Sequence, residues 1–181
     1  MRTLADASEV QPTIDRLAGW VTSLIQDRSA SDWAVVGIRS RGEVIAQRVA
    51  RAAGLAQIGV LDITLYRDDL ADAASQPTVR TTEIDFPLDG LDVVLIDDVL
   101  MTGRSVRAAL DSLMDLGRPR RVWLAVLVDR GPDARELPIA ADFAGLVHPG
   151  PGRVAVRLTP TDPHDAVLVE PDDADAPGAP A

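Results

Sequence analysis

Apolar and polar positions run along this chain in two rhythms. Ile14, Leu17, Val21, Leu24 and Ile25 recur at helical spacing and predict an amphipathic helix over residues 10–28. The unbroken apolar run Trp33 to Ile38 predicts a buried strand. The polar turn Arg39-Ser40-Arg41-Gly42 separates it from a helix over 43–53 whose apolar face holds Val44, Ile45 and Val49. A second strand is expected from Ile58 to Leu65. Residues 66–83 are polar and carry Pro77, which predicts a flexible loop rather than a core element. Strand 91–97 and helix 103–116 follow, and Gly117 and Pro119 stop that helix. Arg121 to Val128 is a further strand. Residues 129–153 are rich in Gly and Pro with short apolar pieces at Phe143 and Val147. Val154 to Leu158 closes the pattern, and residues 171–181 read as a disordered tail. No internal repeat is present.

Strands alternating with helices predict one α/β domain over residues 1–170, with a mainly parallel sheet flanked by helices. In such a sheet, ligands gather outside the carboxyl ends of the strands. Three polar turns fall at such ends, 39–42, 97–105 and 129–131, so distant parts of the chain converge on one site.

Composition narrows the chemistry. The chain has 181 residues, 46% of them hydrophobic and 25% charged, which suits one soluble domain with a proper core. It has no run of apolar residues long enough to span a bilayer and no signal-peptide pattern, so a cytoplasmic protein is expected. The absence of cysteine excludes disulfides, thiol catalysis and cysteine-ligated zinc. The two histidines, His148 and His164, are too few for a histidine metal site, and a hard cation such as magnesium, held by carboxylates and substrate phosphates, fits better. A net charge of −10 argues against non-specific binding to nucleic acid without excluding a local basic patch. All 18 cationic side chains are arginine, so any site that needs a lysine must here use a planar guanidinium.

The most informative stretch is Val93-Val94-Leu95-Ile96-Asp97-Asp98-Val99-Leu100-Met101-Thr102-Gly103-Arg104-Ser105. An apolar strand runs into paired carboxylates, then a glycine turn that opens a helix. The helix start offers unpaired N–H groups and a partial positive charge to a phosphate. Gly103 allows close backbone approach, and the Thr102 and Ser105 hydroxyls add donors. Asp97 and Asp98 point into the same crevice, where they suit ribose hydroxyls and a divalent metal. The plain alternative is a solvated turn in which Ser105 merely caps the helix. Arg39, Ser40 and Arg41 place two guanidinium groups at a second strand end and suit a pyrophosphate. The alternative there is a solvated basic turn with Gly42 opening a helix.

The 93–106 stretch closely resembles the 5-phosphoribosyl-1-pyrophosphate (PRPP) signature of type I phosphoribosyltransferases. The resemblance implies that Asp97 and Asp98 bind the ribose and that residues Val99 to Ser105 cradle the 5′-phosphate. It also implies that the 39–42 turn holds the pyrophosphate and that residues 129–153 form a small hood. The 66–83 segment would then be the catalytic loop, with Arg67 and Arg80 reaching the pyrophosphate; a passive loop is the other reading. Asp129 or Arg130 would read the base edge. The Arg135-Glu136-Leu137-Pro138-Ile139 segment and Phe143 would cover the base, although an ordinary salt-bridged rim is an equal reading of these residues.

Leu65-Tyr66-Arg67-Asp68-Asp69-Leu70 and Val128-Asp129-Arg130-Gly131 narrow the resemblance to the PyrR family, the pyrimidine operon regulators that also act as uracil phosphoribosyltransferases. It spans residues 10 to 168. It implies conversion of uracil and PRPP to UMP and pyrophosphate with magnesium, a homodimer or larger homo-oligomer, and UMP-dependent binding of a pyrimidine operon leader RNA. In the family the N-terminal helix carries a Thr-Arg pair and a His facing RNA. The matching positions are taken as Ala18, Gly19 and Thr22, which lack those groups. Arg48, Arg51 and Arg153 are then the expected basic surface for RNA. Two other readings stay open: an RNA-binding nucleotide sensor with little catalysis, and a transferase for another base.

Overall fold

A computed structural model describes residues 1–26, 28–64 and 82–171. The main sheet has five parallel strands in the order β3-β2-β4-β5-β6. They span Trp33–Ile38 (β2), Ile58–Leu61 (β3), Asp92–Leu100 (β4), Arg121–Asp129 (β5) and Phe143–Val147 (β6). Helices α1 (Ala7–Ile25) and α2 (Arg41–Ala53) pack in the apolar cluster on one face of this sheet. Helix α3 (Arg104–Leu116) packs through Val106, Ala109 and Leu113 on the other. Both faces are covered, which is why β2 and the first part of β4 are apolar without alternation. A small antiparallel sheet joins β1 (Arg2–Ala5), β8 (Ala166–Glu170) and β7 (Arg153–Arg157) in that order. Its Val154, Val156, Val167 and Val169 share the cluster of α1 and α2.

Several expectations move. Helix α1 begins at Ala7, earlier than residue 10, because Asp6 and Glu9 form a reciprocal capping box. β3 ends at Leu61 rather than Leu65, because the Asp62 carboxylate accepts from the Thr64 N–H (2.9 Å) and turns the chain. β4 runs three residues past Asp97, so the acidic pair lies within the last turn-ward part of the strand. The hood expected over 129–153 is corrected. Its Phe143–Val147 portion pairs in parallel with β5 and belongs to the main sheet, and the small sheet is made from β1, β7 and β8 instead. The segments 66–81 and 172–181, expected as a flexible loop and a tail, lie outside the described residues.

Candidate active site

Two glycines bring the 39–42 turn onto the acidic pair. A Cβ on Gly37 would stand 2.6 Å from the Gly42 carbonyl oxygen, and one on Gly42 would stand 2.5 Å from the Ile96 carbonyl oxygen. Only hydrogen fits at either position, so the start of α2 sits directly on β2 and β4. Arg41 is thereby placed close enough to Asp98 for its charge to act on that carboxyl. The peptide between Arg39 and Ser40 is cis.

Asp97 is buried, 6% exposed, and accepts from the Asp98 N–H at 2.9 Å; Asp98 is half-buried and accepts from the Val99 N–H at 2.9 Å. Burial pushes the Asp98 carboxyl above the ordinary aspartate range. Its hydrogen bond with Asp97, its backbone donors and the Arg41 charge oppose this without cancelling it. Asp98 opens on a cavity of about 350 Å³ bounded by Arg41, Arg153, Arg157, Asp162 and Glu170. This cavity lies between the carboxyl end of β4 and the small sheet. Among the described residues no group of three or more acidic or histidine side chains is placed to hold a metal. A hard cation at the Asp97–Asp98 pair would therefore complete its shell from substrate and water, a donor set that suits magnesium.

The 99–105 turn is built mostly from backbone. Gly103 has φ +91° and stands at the N-cap of α3, where it has no side chain to offer that helix. The Thr102 hydroxyl accepts from the Arg104 N–H at 3.3 Å, and Ser105 lies half-buried in the first turn. Leu100 is buried, Val99 is half-buried and Met101 is exposed. The first turn of α3 thus presents N–H groups and the positive end of the helix dipole. The Arg104 side chain turns outward to Glu136, Nε to Oε2 2.6 Å, so Arg104 serves the turn through its backbone.

The guanidinium groups of the 39–42 turn are already engaged. Arg39 donates to Glu83 (2.9 Å) with Glu43 nearby (3.7 Å). Arg41 grips Asp162 with two nitrogens, at 3.0 and 3.3 Å, and donates to the Ser40 hydroxyl at 3.2 Å. Glu83 and Asp162 lie far away in the chain, and no sequence pattern marks them as partners.

The residues expected to meet the base divide. Asp129 sits at the end of β5 and accepts from the Gly131 N–H and from Arg135. Its register partners are Leu100 and Val147, and the exposed Met101 and Val147 (50% and 65%) add apolar surface beside it. Arg130 is corrected: it is buried, and its guanidinium donates to the His148 and Gly150 carbonyls at 3.0 and 2.6 Å, a structural brace. Phe143 is corrected as well, since its half-buried ring packs 5.5 Å from Trp20 of α1 against the core and forms no cover. Residues 135–139 lie against the 100–104 turn rather than over a base. Arg67 and Arg80 lie outside the described residues.

The basic surface is also revised. Arg48 is held by Asp165 at 2.5 and 3.1 Å and by Thr159 at 2.9 Å, so its charge is spent inside the fold. Arg51 and Arg153 are exposed. Ala18 is 4% exposed, so that position presents nothing to a partner and its side chain carries no information about RNA. The outer face of α1 carries Asp15, Arg16, Gly19 and Thr22 instead.

A parallel sheet that ends in a carboxylate pair and a glycine-opened helix is the layout of a phosphoribosyl-transferring domain. The family described as phosphoribosyl transferase domain matches residues 6–145. Solved structures agree on the fold. A hypoxanthine phosphoribosyltransferase from Trypanosoma cruzi superposes with a TM-score of 0.72 at 16% identity, covering 94% of this chain and 95% of that one. A hypoxanthine-guanine phosphoribosyltransferase from Bacillus anthracis gives 0.69 at 15% identity, covering 94% and 98%. Curated relatives narrow the class. The bifunctional protein PyrR of Thermus thermophilus is 50% identical over 147 residues, covering 78% of this chain and 79% of its own. That of Pelotomaculum thermopropionicum is 44% identical over 173 residues, covering 92% and 93%. The chain belongs to the PyrR family of phosphoribosyl transferase domain proteins.

Proposed function

We propose that the protein transfers the 5-phosphoribosyl group of PRPP to uracil, giving UMP and pyrophosphate, and that it regulates pyrimidine operon expression through UMP-dependent binding of leader RNA. The observation that carries the catalytic reading is the meeting of Asp98, Arg41 and the glycine-opened start of α3 around one end of the sheet. In the transfer, the bond from the anomeric carbon to pyrophosphate breaks, a bond to the uracil nitrogen forms, and the proton of that nitrogen leaves. Asp97 and Asp98 accept from ribose hydroxyls and favour positive charge on the anomeric carbon. The 102–105 turn holds the 5′-phosphate, so remote binding positions the reacting centre. Arg41 faces the departing pyrophosphate. Magnesium, when bound, would neutralise pyrophosphate charge. Asp129, with the apolar rim of Met101 and Val147, suits a pyrimidine edge and face. The working form is a homodimer or larger homo-oligomer in the cytoplasm. No helix among the described residues is long and apolar enough to cross a membrane.

The test is product analysis with PRPP, magnesium and a panel of bases, followed by gel shift on a pyrimidine operon leader with and without UMP at stated salt. UMP and pyrophosphate formed from uracil alone are expected, with UMP tightening the RNA complex. Turnover of a purine or orotate instead would move the activity to another base. RNA binding without turnover would leave a nucleotide sensor.

A further inference from the structure

The segment after β5 grips the phosphate turn by its carbonyls. Arg135 Nη1 donates to the Leu100 oxygen (3.1 Å) and the Met101 oxygen (2.5 Å). The N–H groups of Glu136 and Leu137 both donate to the Thr102 oxygen, at 3.0 and 3.2 Å. The Leu100 oxygen also accepts from the Arg130 N–H at 2.9 Å. Three successive carbonyls, 100 to 102, are therefore turned to one side. The peptide bonds that follow them are trans, the cis bonds among the described residues being Arg39-Ser40 and Thr159-Pro160. In a trans peptide the N–H points opposite to the C=O of the same unit. The N–H groups of Met101, Thr102 and Gly103 are thereby aimed away from the 130–137 segment, on the side from which a phosphate would be met.

Arg135 is itself fixed. Its side chain is 12% exposed, Nη2 pairs with Asp129 at 2.5 Å, and Nε donates to the Ile139 oxygen at 3.0 Å. One planar guanidinium thus ties the end of β4, the end of β5 and the turn at Ile139 together. An ammonium on a flexible stem has no such fork and cannot hold these directions at once.

We propose that Arg135 is a positioning residue for the 5′-phosphate: through the Leu100 and Met101 carbonyls it orients the backbone donors of the 101–103 turn, without touching substrate. This rests on the phosphate-binding reading of that turn. The test compares Arg135→Gln and Arg135→Lys with the unaltered protein, using calorimetric binding of UMP and of uridine, which lacks the phosphate, together with steady-state kinetics. Unaltered protein is expected to prefer UMP strongly. Both variants should lose about tenfold in UMP affinity, as expected when a buried, charge-assisted bonding network is broken. Uridine binding should weaken by a clearly smaller factor, that part being the loss of the Arg135–Asp129 pair beside the base edge, and KM for PRPP should rise more than kcat falls. Should Arg135→Gln not fold, Arg135→Lys, which keeps charge and bulk, gives the reading. UMP and uridine weakened by the same factor, or UMP affinity unchanged, would overturn the proposal. An unaltered protein with no preference for UMP over uridine would instead overturn the phosphate reading itself.

Discussion

The small β1–β8–β7 sheet lines the cavity onto which Asp98 opens, and the 100–105 turn follows Asp98 along the chain, yet the two are held by different forces. The turn is braced by N–H groups and a guanidinium acting on backbone carbonyls, partners that no ligand can replace. The connection leading into β8 is tied to α2 by two guanidinium–carboxylate pairs, Arg41–Asp162 and Arg48–Asp165. A phosphate can substitute for a carboxylate, because both accept the same bidentate fork. The turn is therefore preorganised, whereas the Arg41 side of the cavity can exchange its partner. Arg48–Asp165 lies about two helical turns along α2 from Arg41–Asp162 and serves as the permanent tie.

The largest effect is expected at Asp98, where function and stability oppose each other. Its folded pKa lies above the unfolded value, so the native state binds the proton more tightly. Stability then falls as pH rises from the ordinary aspartate range through the raised value, and stays lowered above it. Asp98→Asn removes that penalty. Turnover should drop at least about tenfold, as for loss of a group stabilising transition-state charge, while Tm at neutral pH holds or rises. Calorimetry beside product assays checks both signs, and unchanged kinetics would sink the assignment.

A smaller effect is expected at the permanent tie. The Arg48 hydrogen bonds, against some opposition from burial and with help from Thr159, lower the Asp165 pKa to about 2. A depressed carboxylate contributes stability that is present above its unfolded pKa near 3.8 and is lost as pH falls towards about 2. Allowing for solvent screening, the contribution is about 1 kcal/mol. Denaturant titrations at steps from pH 5 to pH 2 should show this loss, and Arg48→Ala should flatten it. An identical acid profile in the variant would mean that the pair does not tie the small sheet.

The difference between the two regions also explains what the sequence reveals. The turn depends on local order: Val93 to Ile96 make a buried strand, and Asp97, Asp98, Thr102 and Gly103 follow at fixed spacing, so a reader of the chain finds them together. The tie depends on residues 117 to 121 positions apart, and spacing says nothing about them. β1 and β8 are four and five residues long, too short to show a period. β6 hides because Gly145 interrupts its apolar run. A Cβ there would meet the Leu127 carbonyl at 2.8 Å, a contact visible only in the fold. Arg130 follows a strand end and Phe143 falls in the segment that the resemblance sets over the base, but the burial of Arg130 and the packing of Phe143 on Trp20, which the linear pattern does not give, assign them to a brace and to the edge of the core.

The smallest effect tests exchange directly. Burial pushes the Asp162 carboxyl up, but the Leu158 N–H and Arg41 outweigh it and hold the group below the ordinary range. On the proposed pyrophosphate role of Arg41, it is a charged partner that the ligand displaces. Asp162→Asn keeps an oxygen to accept from the Leu158 N–H, now at 2.8 Å, so the turn after β7 should persist. What it removes is the charge facing Arg41. Pyrophosphate affinity, measured by calorimetry with magnesium, should then rise a few-fold, since a partly exposed pair contributes about 0.2–1 kcal/mol. A fall in affinity would mean that Asp162 aims Arg41 rather than competes for it, and the Arg41 side would then be as preorganised as the phosphate turn.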